Sequence, residues 1–410
     1  MTEKQHIVVL GVGFAGFSFI REVDTGVSRL TVVSPRNHFL FTPLLPSTTV
    51  GTVEFRSIIE PVRAAKPGVE FFQAYCIDIN TKRKSIRCEG ALDRKEFTLT
   101  YDVLVIAVGS TANTYGVPGV KEHALFLREL PDARAIRQRI VDCFERAAQP
   151  NLSEEERNRL LQLVVIGGGP TGVEFAAEMH DFLREDLRKT YPLLSPKVVI
   201  ILLEATDHIL NTFDAALASY TAKLFRRQNI ELRTASLVTK IDDKFIHLKD
   251  KSSIPYGLVV WTAGIGPSDL IKSLPLKKDR SSRIMTDDFF RVPGVEDVYA
   301  LGDCATPEGR DFPATAQVAQ QEGKYLAKAL ERKFKGQPIK PFRYRHYGML
   351  AYVGSNRALA DLATIKGKGF ATFLFWRSAY LTRLVSFKNK MLVVFDWFKA
   401  LVFGRDISRF

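Results

Sequence analysis

HIVVLGVGFAG, residues 6–16, is the stretch on which the reading of the fold turns. An apolar, β-branched run closes at Leu10 and enters a glycine hexad at Gly11, Gly13 and Gly16. The run is short enough for a strand buried on both faces. Its glycines let the backbone turn sharply and approach a pyrophosphate at the N-terminus of the next helix. One such hexad is weak evidence, because glycine-rich turns are common. The pattern returns at residues 163–172, LVVIGGGPTG, with Gly167, Gly169 and Gly172. Two hexads in a strand–turn–helix context predict an α/β fold with two Rossmann-type dinucleotide-binding domains, and hence two dinucleotides.

Length and composition agree with that expectation. A chain of 410 residues exceeds a single core of ordinary size, so two or three domains are expected. The formal charge of +13 suits anionic lipid, acidic ligands or nucleic acid. Much of it is C-terminal: residues 366–410 hold nine lysines and arginines against two aspartates. Cys76, Cys88, Cys143 and Cys304 show no C-x-x-C and no metal-ligand spacing. They point to a reducing compartment, no disulfide framework and no metal site. MTEKQ runs straight into a strand, so no signal or transit segment is expected unless one has been removed. No apolar run reaches the roughly 20 residues needed to cross a bilayer, which leaves attachment to its surface open.

The residues after each hexad distinguish the two sites. A carboxylate at the end of the following strand binds adenosine ribose hydroxyls. KVVIILLE ends at Glu204, farther than usual from its hexad because a charged helical insert, HDFLREDLRKTYPLLSPK, intervenes. No arginine follows in EATDHIL, so a 2′-phosphate would meet repulsion and NADH is favoured over NADPH. In the first unit RLTVVS ends at Ser34, and the missing acid leaves that site to groups downstream. VYALGDCA, residues 298–305, reads as a strand delivering Gly302 and Asp303 to a polyol chain. LVIAVGS, with Gly109, and VVWTAGIG, with Ala263 and Gly264, read as strands with small-residue linkers. The chain thus leaves the first domain, builds a second and returns.

The order of the two hexads, the AVG and TAG linkers and the GD pair resembles the two-dinucleotide flavoprotein superfamily. That resemblance implies FAD at the first site and NAD(P)H at the second. FLFTPLLPSTTVGTVEFRSIIEP (39–61), GGGPTGVEFAAE (167–178), PATAQVAQQEGKYLAKAL (313–330) and YGMLAYVGSNRALADL (347–362) resemble the type II, non-proton-pumping NADH:quinone dehydrogenases of the eukaryotic-style branch. The likeness covers essentially the whole chain, with Ser34 and Val108 as departures.

It implies an FAD-binding domain over 1–120 and 288–342, an NADH-binding domain over 121–287, and a C-terminal amphipathic membrane-interface region over 343–410. It further implies FAD contacts at Gly11, Gly13, Gly16, Ser34, Thr42, Gly109, Asp303, Ala316 and Gln317. NADH contacts are implied at Gly167, Gly169, Gly172, Glu174, Glu204, Ala263 and Gly264. The activity implied is oxidation of NADH and reduction of ubiquinone or menaquinone by a peripheral membrane homodimer. Its membrane would be the bacterial inner membrane, on the cytoplasmic face, or the mitochondrial inner membrane, with no nucleic-acid partner.

Three residues are candidates for catalysis. Gln317 and Gln321 lie four apart, so both amides leave one face of a helix expected to start near Ala316 with Thr315 as its cap. A helix N-terminus aimed at a reduced flavin would stabilise its negative charge. By the resemblance the glutamines flank a quinone pocket; otherwise they are solvated surface residues. Ala316, Ala319 and Gly323 make the segment slim, as close approach to a planar cofactor requires. Glu174 would position the nicotinamide or relay protons, or would simply suit the helix dipole.

In the tail, Trp376, Tyr380, Leu384 and Phe387 form one stripe, and Met391, Val394, Phe395, Phe398 and Leu401 another, opposite Asp396 and Lys399. Such helices either lie in an interface rich in anionic lipid or cover the body of the protein or a dimer partner. Two other readings stay open. A sulfide:quinone oxidoreductase would need a partner for Cys304, and a membrane-associated signalling flavoprotein would turn over slowly.

Overall fold

The structure, a computed structural model, describes residues 4–408. The chain forms two compact units, each assembled from three separate stretches. The first comprises residues up to Leu40, Ile59–Thr111 and Ile265–His346; the second comprises Phe41–Ile58, Ala112–Gly264 and the chain from Tyr347 onward.

In the first unit a seven-stranded sheet runs in the order Val298–Ala300, Val103–Ile106, Gln5–Leu10, Ser28–Ser34, Glu70–Asn80, Ser85–Gly90, Glu96–Thr100. The first five are mutually parallel, and Ser85–Gly90 and Glu96–Thr100 continue the sheet as an antiparallel meander. Val103–Ile106 and the stretch 7–10 of Gln5–Leu10 are apolar and buried at every position because both faces of the sheet are covered there. Ile7, Val9, Val103 and Val105 enter the core on one side, and Val8, Leu10, Leu104 and Ile106 the core on the other. The helix Phe14–Glu22 follows the hexad and packs on the helix Ala316–Phe334. Gly323 makes this approach possible, since a Cβ there would lie 2.2 Å from the Ala15 carbonyl oxygen. The slimness at Gly323 thus serves helix packing.

The second unit holds a five-stranded parallel sheet in the order Leu125–Phe126, Leu258–Trp261, Gln162–Ile166, Val199–Leu203, Ile230–Arg233. The helix Pro170–Phe182 follows the second hexad. The charged insert prolongs it through a π-helical turn, Leu183–Leu187, a form that long helices adopt locally. The short helix Leu45–Thr49 packs against this helix. A three-stranded antiparallel sheet, Met349–Gly354, Arg357–Asp361 and Lys366–Gly369, precedes two helices, Phe370–Arg383 and Phe387–Phe403.

These last two helices split the apolar stripes differently from the sequence expectation. Trp376, Tyr380 and Leu384 point inward, where Trp376 stacks among Tyr352, Phe373, Tyr380 and Trp397; only Phe387 of that stripe is exposed. Aromatic clustering of this kind outweighs the surface role read from the pattern. On the second helix the polarity is inverted. Asp396 is buried and accepts from Ser57 Oγ at 2.5 Å and from the Glu54 N–H at 3.0 Å. Met391, Val394, Phe395, Phe398 and Leu401 face outward.

Candidate active site

In the first unit the hexad forms a turn closed at both ends and open in the middle. Gly11 has φ +96°, and a Cβ on it would sit 2.4 Å from the Ala107 carbonyl oxygen. A Cβ on Gly16 would lie 2.1 Å from the Gly11 oxygen. Gly13 faces open space and stands at the cap position of the helix Phe14–Glu22, which has no side-chain cap. An uncapped helix N-terminus in front of open space fits a dinucleotide pyrophosphate.

Around this turn, Ser34 ends its strand and accepts from the Arg36 N–H at 3.3 Å. Gly109, at φ +70°, opens on free space. Asp303 accepts from Ser110 Oγ at 2.8 Å and lines a groove with Gly302, Thr315, Val318, Ala319 and Glu322.

Glu322 escaped sequence reasoning. It is buried, and its carboxyl takes the Gly302 N–H at 2.6 Å. Burial pushes it up to about 7 against that hydrogen bond, so the carboxyl beside the Gly302–Asp303 turn holds its proton in mildly acidic solution. The signal was present in AQQEG, where an acid follows Gln321 on an otherwise apolar buried face.

The helix of the glutamines starts at Ala316 with Thr315 Oγ1 accepting from the Val318 N–H, as expected. Both amides are half-buried and engaged. Gln317 Oε1 accepts from the Tyr344 hydroxyl at 3.1 Å, and that hydroxyl lies 3.0 Å from His346 Nδ1. Gln321 pairs with the Arg345 backbone as a strand would, donating to its carbonyl at 2.9 Å and accepting from its N–H at 3.0 Å. Gln321 therefore fastens residues 344–346 to the helix, and Gln317 reaches His346 through Tyr344. None of these partners was legible beforehand, because they lie more than twenty residues away in an irregular stretch.

The second unit repeats the turn. A Cβ on Gly167, φ +114°, would meet the Ala263 nitrogen at 2.7 Å, and one on Gly172 would meet the Gly167 oxygen at 1.9 Å; Gly169 is open. Thr262 Oγ1 bonds the carbonyls of Ile166 and Gly167, and Gly264, φ +70°, sits against Tyr115. Glu204 stands half-exposed at the strand end, taking the Gly168 N–H at 2.7 Å and both donors of Thr206 at 2.8 Å. Arg233 on the adjoining strand is turned onto Glu231.

The helix Pro170–Phe182 carries three buried acids, Glu174, Glu178 and Asp181, on one face. Glu174 accepts from the Tyr352 N–H at 3.1 Å, with Trp376 and Tyr380 beside it. Burial pushes it up to about 8, which this hydrogen bond opposes. Glu178, also raised by burial, takes Ser47 Oγ at 2.6 Å and Thr52 Oγ1 at 2.8 Å. Asp181 takes the Tyr352 hydroxyl at 2.5 Å. Thr42 is exposed and belongs to this second unit.

Cys304 is fully buried with its sulfur against the carbonyls of Leu301 and Ile106, and burial pushes its thiol up to about 12. A thiol so protonated is a poor sulfur carrier. Among the described residues no group of His, Cys, Asp and Glu could hold a metal.

Comparison with known proteins agrees with this construction. The family model for pyridine nucleotide-disulphide oxidoreductases matches residues 5–323, and that for the NDH2 C-terminal domain matches residues 346–406. The chain belongs to the type II NADH dehydrogenase (NDH2) family. It is 46% identical to a probable NADH dehydrogenase of Dictyostelium discoideum over all of this chain and 92% of that protein. It is 42% identical to a mitochondrial internal alternative NAD(P)H-ubiquinone oxidoreductase A1 of Solanum tuberosum, over 99% of this chain and 88% of that one. The solved NDH2 of Plasmodium falciparum in complex with NADH superposes with a TM-score of 0.95 at 27% identity, covering 99% of this chain and 100% of that chain. The fold is therefore the NDH2 fold, and the chain is an oxidoreductase.

Proposed function

We propose that this chain oxidises NADH and reduces a membrane quinone through FAD, without pumping protons. The observation that carries the reading is the pair of glycine turns, closed at the first and third glycine and open at the second, in a chain that matches NDH2 throughout. FAD, when bound, supplies two-electron acceptance from NADH and two-electron delivery to the quinone. Gly11, Gly13, Gly16, Ser34, Thr42, Gly109, Asp303, Ala316 and Gln317 would hold it. The turn Gly167–Gly172, with Ala263 and Gly264, would hold NADH, and the Glu204 carboxylate would receive ribose hydroxyls that a 2′-phosphate would displace. Gln317 and Gln321 would flank the quinone as neutral amides, Gln321 by holding the Arg345 backbone beside it. Glu174, protonated near neutral pH, holds a proton of the kind quinone reduction consumes.

The same reading places the enzyme on a membrane surface bearing anionic lipid. Phe395, Phe398, Leu401 and Phe403 are all more than half exposed on one helix. Leaving a large apolar side chain in water forgoes about 1.5–3 kcal/mol. The basic tail adds attraction to anionic headgroups. Among the described residues no helix is long and apolar enough to cross a membrane. Part of this surface would serve a homodimer contact. The membrane would be the mitochondrial inner membrane or the cytoplasmic face of a bacterial inner membrane, and the acceptor ubiquinone or menaquinone.

The test is an anaerobic titration of the flavin-loaded protein with NADH and then with short-chain ubiquinone, with sulfide as a parallel donor. Bleaching by NADH and recovery with quinone is the expected result. Bleaching by sulfide with no response to NADH overturns the reading.

A further inference from the structure

Two of the four cysteines that the sequence scatters are brought face to face. The antiparallel strands Glu70–Asn80 and Ser85–Gly90 pair in a register that sets Cys76 directly opposite Cys88. Directly opposed residues send both side chains to one face of the sheet, with Cβ atoms about 4.5–5.5 Å apart. A disulfide asks for about 3.5–4.5 Å, so closure requires the strands to draw together by roughly an ångström.

The local backbone offers that freedom. The register slips next to Cys76, passing from Cys76↔Cys88 to Asp78↔Arg87, so Ile77 has no opposite partner. Such a bulge interrupts the ladder and lets its strand bend. The two thiols also differ in access. Cys88 is fully buried against the core that contains Ile86 and Tyr101, whereas Cys76 lies at the edge of that core and is partly exposed. An oxidant can therefore reach one sulfur while the other waits beneath it.

We propose that Cys76 and Cys88 form a reversible two-electron thiol–disulfide site, with Cys76 the entry point and Cys88 the resolving thiol. With a small-molecule disulfide as oxidant, Cys76 gives up its proton to the departing sulfur as it attacks the other, breaking the S–S bond, releasing one thiol and leaving a mixed disulfide. Cys88 then gives up its proton and attacks the Cys76 sulfur, expelling the second thiol. Two protein thiols are oxidised to one disulfide as the small disulfide is reduced to two thiols.

The experiment equilibrates the FAD-loaded protein across a series of glutathione to glutathione-disulfide ratios and blocks free thiols with N-ethylmaleimide under denaturing conditions. Blocked thiols are then counted by intact mass and located by peptide mapping. The expected result is a fall from four blocked thiols to two in one step, with a cross-linked peptide joining residues 76 and 88, reversed by dithiothreitol. Cys143 and Cys304, both fully buried, stay available to the blocking reagent throughout. Cys88→Ser should instead retain one glutathione on Cys76. Four blocked thiols at every ratio, a disulfide involving Cys143 or Cys304, or glutathione persisting on Cys76 in the unaltered protein would each overturn the proposal.

Discussion

The two glycine turns share a frame and differ in the acid that attends them. In each, the third glycine packs on the carbonyl of the first so closely that any side chain would collide, at 2.1 Å for Gly16 and 1.9 Å for Gly172. In the second unit the attending carboxylate, Glu204, sits at the end of the neighbouring strand, half-exposed and bonded to the Gly168 N–H. In the first unit Ser34 occupies that place. There the ligand is left to Asp303, half-buried and bonded to Ser110 Oγ, while a second acid, Glu322, is buried on another helix and bonded to the Gly302 N–H. An exposed acid can receive a ligand's hydroxyls, whereas a buried one holds protein backbone in place. The second turn thus has its acid on the neighbouring strand, and the first has a buried acid that holds backbone behind it.

The largest effect should come from filling either turn. Gly16→Val should leave the purified protein without flavin absorbance. Gly172→Val should keep the flavin and lose bleaching by NADH at least about 100-fold, from overpacking of about 3 kcal/mol. Equal flavin loss in both variants would erase the distinction.

Next in size is Arg405→Ala in the second unit. The Arg405 side chain is only 9% exposed and bonds Asp186 at 2.8 Å, Glu185 at 2.9 Å and Thr52 Oγ1 at 2.9 Å, so its removal strands the buried Asp186. Urea unfolding should show a loss of about 3–5 kcal/mol.

The buried glutamates give a pH-dependent comparison. Glu174 rises from its ordinary 4.5 to about 8 in the folded chain, so the native state keeps a proton that the unfolded chain has lost between those values. Stability contributed this way is complete below about 4.5 and lost as pH climbs through about 8, on the order of a few kcal/mol. Glu174→Gln should flatten that slope in melting curves taken across this range. Glu322→Gln should flatten a narrower window ending near 7, with faster release of FAD. Identical windows would show that the two sites do not differ as described.

The smallest effect is expected from Glu204→Gln. Removing the charge while keeping the Gly168 contact should move the ratio of kcat/KM for NADPH over NADH upward by about tenfold, or roughly 1.4 kcal/mol. An unchanged ratio would place nucleotide choice elsewhere.

The local parts of this molecule were settled by its sequence. Both strand–hexad–helix units, the start of the helix at Ala316 with its Thr315 cap, and Glu204 at a strand end depend on neighbours a few residues away, and such short-range chemistry is written in order along the chain. Only the tertiary structure decided the rest. It joined Gln321 to Arg345, Glu322 to Gly302, Glu178 to Ser47 and Cys76 to Cys88. It also turned the Trp376 stripe inward and left the apolar face of the last helix outward with Asp396 inside. The reason is that amphipathic periodicity reports only that a helix has two faces. Which face is buried depends on the hydrogen-bond donors and aromatic rings that remote segments bring to it, and those arrive only when the chain folds.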